Sequence, residues 1–177
     1  HALLSVEEAD SVLFIVDGRA GLTGEDQEIA QRLRTYSRKI HLVINKSEGL
    51  ERAMVSAEFH QLGFPHLHVI AAAHGRGIGD MIEEVLEEFP LPPQPEESDE
   101  YFYEDDEEPI IEEEEDLTIK VAFVGRPNVG KSTLVNQILG YERVIAFDQP
   151  GTTRDSIEIP FERDGQEYVL IDTAGVR

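Results

Sequence analysis

Gly125-Arg126-Pro127-Asn128-Val129-Gly130-Lys131-Ser132 carries the spacing G-x-x-x-x-G-K-[ST]. An apolar run over 119–124 precedes it and a helical pattern over 131–139 follows, the strand-to-helix context in which this spacing binds phosphate. Glycines at both ends let the backbone wrap, so that successive N–H groups and a helix N-terminus point at phosphate oxygens. In that geometry Lys131 reaches the β and γ phosphates and the Ser132 hydroxyl ligates Mg²⁺. Gly125, Asn128, Val129, Gly130 and Thr133 complete the expected nucleotide-contacting stretch.

Two further stretches suit the same chemistry. Pro150-Gly151-Thr152-Thr153-Arg154-Asp155 lies about twenty residues beyond the lysine and shows no periodicity, so a loop is expected. Thr153 there can bring its hydroxyl and carbonyl to Mg²⁺ and the γ-phosphate, which gives a loop ordered by a triphosphate and released on hydrolysis. The strand pattern ending at Ile171 runs into Asp172-Thr173-Ala174-Gly175. Asp172 is placed to hold the Mg²⁺ shell, and the Gly175 N–H to approach the γ-phosphate.

Before the phosphate loop in the chain, a strand pattern ends at Asn45-Lys46-Ser47-Glu48. A carboxylate at Glu48 can accept both the N1–H and the exocyclic amino proton of guanine, with Asn45 and the Lys46 stem framing the base. The next strand pattern ends at Ala71-Ala72-Ala73-His74, where the Ala72 N–H is expected at the guanine O6. Taken singly, either stretch also reads as a polar strand-end loop. His66, His68 and His74 have no cysteine near them and no helical spacing, and are not read as a metal site.

The elements that must position these residues alternate. Strand patterns at 12–16, 40–44 and 67–71 interleave with helical patterns at 25–36, 51–62 and 78–89. After 119–124 and 131–139 come strand patterns at 144–147, 156–163 and 167–171, the last two joined by the turn signal Asp164-Gly165. Alternation of this kind implies an α/β fold with a mostly parallel sheet covered by helices on both faces. Neither flank alone completes a sheet, and each leaves open edges.

Of 177 residues, 37 are acidic and 15 basic, a formal charge of −22, which argues against a nucleic-acid-binding or anionic-membrane surface over the whole chain. The charge is local: residues 94–116 hold 14 acidic side chains and no Lys or Arg. With Pro92, Pro93, Pro95 and Pro109 in or beside it, that stretch reads as a self-repelling acidic linker between the segments 1–93 and 117–177. There is no cysteine, which excludes a disulfide framework. No apolar run approaches the ~20 residues of a membrane span, and no secretory signal is read, so a cytoplasmic protein is expected.

Together these residues resemble the Era-like P-loop GTPases, whose five motifs are the phosphate loop, the switch threonine, Asp-x-x-Gly, Asn-Lys-x-Asp and a Ser-Ala loop. More closely, the chain resembles the bacterial tandem GTPases: 1–93 is similar to the end of a first G domain and 117–177 to the start of a second. Glu48 stands where that family has Asp, and Ala71 where it often has Ser. The resemblance implies GTP and GDP as ligands, Mg²⁺, a large-ribosomal-subunit assembly role without any membrane, and K⁺ bound by Asn128 in place of the water-orienting Gln, since Val176 follows Gly175. No RNA-binding surface is read from the sequence itself. Two arrangements stay open: parts of two nucleotide sites, or one composite site in the motif order of circularly permuted GTPases. A nucleotide-gated binding module with little catalysis is the further alternative.

Overall fold

The computed structural model describes residues 2–36, 38–89, 117–142, 144–146, 151–153 and 156–173. The acidic stretch 94–116 lies outside the described residues. Strands β1 (Ser11–Asp17), β2 (Lys39–Asn45) and β3 (His66–Val69) come from the first flank. From the second come β4 (Ile119–Val124), β5 (Ile145–Ala146), β6 (Gly151–Thr153), β7 (Ser156–Arg163) and β8 (Gln166–Thr173). All eight form one sheet in the order β3-β2-β1-β4-β8-β7-β5, with β6 also on β7. The mostly parallel α/β sheet expected from the alternation is therefore present.

The two flanks meet at the centre. β1 pairs parallel with β2 on one side and with β4 on the other, Ser11 opposite Val121 and Phe14 opposite Val124. Each strand thereby satisfies the edge that its own flank leaves bare. Asp10 continues the join by two bonds, its N–H donating to the Lys120 carbonyl and its carboxylate accepting from the Lys120 N–H, each 2.8 Å. Val12 to Val16 are wholly buried, as a parallel strand covered on both faces requires.

Alternate side chains of β1 feed two cores. Leu13 and Ile15 join Val43, Phe123, Phe161 and the apolar stripes of α4 (Ile78–Glu87) and α5 (Lys131–Leu139). Phe14 and Val16 join Leu42, Ile44 and the residues of α1 (Ala2–Glu8), α2 (Gly24–Leu33) and α3 (Arg52–Phe59) on the opposite face. α4 of the first flank packs beside α5 of the second, and Glu83 of α4 accepts from Arg163 of β7. Both cores are thus shared between the flanks.

The elements differ from expectation in three places. α1 is not among the expected elements, because 2–8 is too short to show a helical period; its Val6 is fully buried against the sheet. The helix expected over 51–62 gives way to a 3-10 turn at His60–Leu62, closed by Gly63 at φ 75. Gly151–Thr153, expected as a loop, pairs antiparallel with β7, Thr153 opposite Ser156.

Shared cores make a cooperative unit. Proteolysis within 94–116 is expected to leave two fragments that co-elute as one particle on size exclusion and unfold in one transition; fragments that separate in water would refute the joint sheet.

Candidate functional site

β1, β2 and β4 run parallel, so their C-terminal ends lie together, and the loops that follow them converge at one end of the sheet. Open parallel sheets bind ligands at that end. The loop after β4 is the Gly125–Ser132 stretch, and it opens α5 with Gly130 at φ 99 and Asn128 at φ 67. Both glycines are forced by close approach. A Cβ on Gly125 would meet the Ile15 carbonyl oxygen at 2.5 Å, and one on Gly130 would meet Asn45 Nδ2 at 2.3 Å. Lys131 is buried and its Nζ donates to the Gly125 carbonyl at 2.8 Å, curled over the loop that it is expected to serve. Ser132 and Thr133 are exposed in the first turn of α5.

The loop after β2 docks on this one. The Asn45 carboxamide is buried and bridges two elements: its Nδ2 donates to the Val129 carbonyl and its Oδ1 accepts from the Ala72 N–H, each at 2.9 Å. Lys46, at φ 59, donates from Nζ to the Asn128 carbonyl at 2.6 Å and to Asp17 Oδ2 at 3.0 Å. Burial would raise the Asp17 carboxyl, but the Ala20 N–H, the Lys46 ammonium and the Arg19 N–H outweigh it and hold it below its ordinary value. Asp17 is therefore ionised at neutral pH and fixes the Lys46 stem.

Glu48 carries one of the buried polar atoms left without a partner among the described residues. Its backbone carbonyl accepts from Arg19 Nη2 at 3.1 Å, and Oε1 lies 3.7 Å from the same nitrogen, but Oε2 is buried with no hydrogen-bond partner. A buried carboxylate oxygen without a donor is costly, and a ligand offering N–H groups would relieve it. The Ala72 N–H, expected at a base oxygen, is spent on Asn45 instead.

Arg126 adds an anchor that spacing did not reveal. Its Nε donates at 2.9 Å to Asp26, which is fully buried and also accepts from the Thr23 N–H in the capping box at the start of α2. The phosphate loop is thus pinned by first-flank residues on two sides. Asp172 stands in β8 opposite Phe123, so its backbone lies beside the strand that feeds the phosphate loop. The side chains of Thr153 and Asp172 are outside the described set, as is Gly175 entirely.

A second cluster lies at the other end of β2, where His41, His66 and Glu88 gather. Parallel register sets His41 opposite His66, and stacking puts the His41 ring 5.1 Å from that of His68. Burial drives His41 down to about 4, and His68 also falls below its ordinary value for the same reason. Residue types single out His66, His68 and His74; the available signal for His41 was the lone histidine of one buried strand pattern beside the alternating pair of the next.

The family model described as "50S ribosome-binding GTPase" matches residues 120–177. Curated relatives named GTPase Der match almost the whole chain. That of Aromatoleum aromaticum is 55% identical over 173 residues, 98% of this chain and 36% of its own length. That of Dechloromonas aromatica is 53% identical over 98% of this chain and 35% of its own, and that of Legionella pneumophila strain Lens 51% over 98% and 34%. The chain spans about a third of the length of these relatives. Among solved structures, YjeQ from Thermotoga maritima aligns with a TM-score of 0.56 over 94% of this chain and 48% of that one, at 17% identity, a likeness of fold. Among the described residues, no helix is long and apolar enough to cross a membrane.

Asn45→Ala strands the Val129 carbonyl and the Ala72 N–H together, so we expect a loss of about 2–4 kcal/mol, read by urea unfolding. A loss below about 0.5 kcal/mol would mean that the two loops do not depend on this bridge.

Proposed function

Since the chain has the fold of the P-loop GTPases and is similar to GTPase Der along nearly its whole length, we propose that it binds GTP and GDP at one composite site. The phosphates lie on Gly125, Asn128, Val129, Gly130, Lys131, Ser132 and Thr133, and the base on Asn45, Lys46, Glu48 and the Ala72 edge. The observation that carries this reading is the docking of the Asn45 and Lys46 side chains on the Val129 and Asn128 carbonyls. Base reader and phosphate cradle are held in contact by direct bonds.

The residues present suit the ligand. Glu48 Oε2 lacks donors that the N1–H and amino group of guanine supply, and adenine offers no such pair. Lys131 exchanges the Gly125 carbonyl for phosphate oxygens, beside the N–H groups of the loop and helix start. Mg²⁺, when bound, neutralises charge on the β and γ phosphates; Ser132, Thr153 and Asp172 are its proposed ligands, a hard oxygen set that matches a hard ion. Asn128, exposed on the loop at positive φ, is the proposed K⁺ contact.

In a longer protein of the GTPase Der kind, the same residues serve GTP hydrolysis in the cytoplasm, and assembly of the large ribosomal subunit is the proposed output. There the segments 1–93 and 117–177 belong to two successive G domains joined by 94–116, and each partial sheet is completed by its own neighbour. The relatives' threefold greater length favours this second arrangement for the full protein; the shared sheet favours the composite one for this chain.

Titration with fluorescent GDP and ADP tests the reading. The expected result is saturable GDP binding, discrimination against ADP, and a loss of about two orders of magnitude or more in Lys131→Ala. Equal affinity for the two nucleotides would sink the base assignment. In the longer protein, hydrolysis at fixed ionic strength is expected to run faster in K⁺ than in Na⁺; equal rates would remove Asn128 from that role.

A further inference from the structure

We propose that His41, His66 and Glu88 form a site for one divalent transition-metal ion of the zinc type, separate from the nucleotide site. Each offers a ligand atom, and the three atoms lie within 4.8 Å of one another. The site sits at the edge of the sheet, where β2 and β3 meet the C-terminus of α4, about 13 Å along β2 from Asn45 at ~3.3 Å per residue.

The side chains are built to point an unpaired nitrogen at the carboxylate. His41 is wholly buried, and its Nδ1 is engaged with His68 Nε2 at 2.9 Å. That contact fixes the ring and leaves Nε2, which stands 3.1 Å from Glu88 Oε1 yet makes no hydrogen bond. A metal-bound imidazole commonly donates its other N–H to a second acceptor, and His68 Nε2 is placed to accept it. Glu88 Oε2 is also buried and without a hydrogen-bond partner. Buried ligand atoms left without a partner on both His41 and Glu88 are what a bound cation would satisfy.

The His41–Glu88 separation and the ligand types suit such an ion. Bonds of about 2.0–2.1 Å at a tetrahedral angle put ligand atoms about 3.3 Å apart, close to the 3.1 Å between His41 and Glu88. Two imidazoles and one carboxylate suit zinc and not Mg²⁺, which prefers oxygen. The Lys39 ammonium, 2.6 Å from Glu88 Oε1, is the opposing charge. It is 41% exposed and can turn into water. Three protein ligands leave a fourth position for water, and the ion would clip the β2–β3 edge to the end of α4.

Visible spectroscopy of the whole nucleotide-free chain titrated with Co²⁺ tests this. The expected result is an intense four-coordinate band that saturates at one equivalent, bleaches with equimolar Zn²⁺, and weakens at least tenfold in apparent affinity in both His66→Gln and Glu88→Gln. Zn²⁺ should also raise the unfolding midpoint of the wild type and leave that of the two variants in place, which separates ligation from folding damage. No band, or a band of undiminished apparent affinity in either variant, would overturn the proposal and assign any cobalt bound to the phosphate loop or the acidic stretch.

Discussion

Backbone hydrogen bonding between β1 and β4 is the constraint on which everything else in this molecule depends. Each strand is apolar on both faces and unpaired on one edge within its own flank, a state that water and packing both penalise. Pairing them in parallel register completes a sheet, and the two cores then form across the join. Because parallel strands end on the same side, the same pairing brings the loops after β1, β2 and β4 together. The site is a consequence of the join.

The contacts between those loops have a division of labour. Asn45 replaces water on two backbone groups at once, which is a stability role. Lys46 spans from Asp17 to the Asn128 carbonyl, so the charged residue proposed to frame the base also fixes the turn of the Gly125–Ser132 loop. Arg126 ties the opposite wall to the capped start of α2. Among the described residues of these loops, Glu48 Oε2 and Arg126 Nη2 are buried without a hydrogen-bond partner, and Glu48 Oε2 is the atom that the proposed base would meet.

Much of this was legible from residue types. The phosphate loop announced itself because its glycines and lysine sit between two strongly patterned elements, and the buried strands did so because parallel strands are continuous apolar runs. What escaped did so for physical reasons. α1 and β6 are too short to display a period. The Arg126–Asp26 pair and the His41–His66–Glu88 cluster join residues that only sheet register and helix packing make neighbours. Whether the flanks close on each other was undecidable from motif order, since both arrangements use the same residues.

The central claim is that one nucleotide touches both flanks of this chain. Amide NMR of the ¹⁵N-labelled protein during a GDP titration measures it most directly. The account predicts that the amides of Gly130 and Ala72, from opposite flanks, shift together with one apparent Kd. Shifts confined to the Gly125–Ser132 loop, with Ala72 and Glu48 unmoved at saturation, would contradict it.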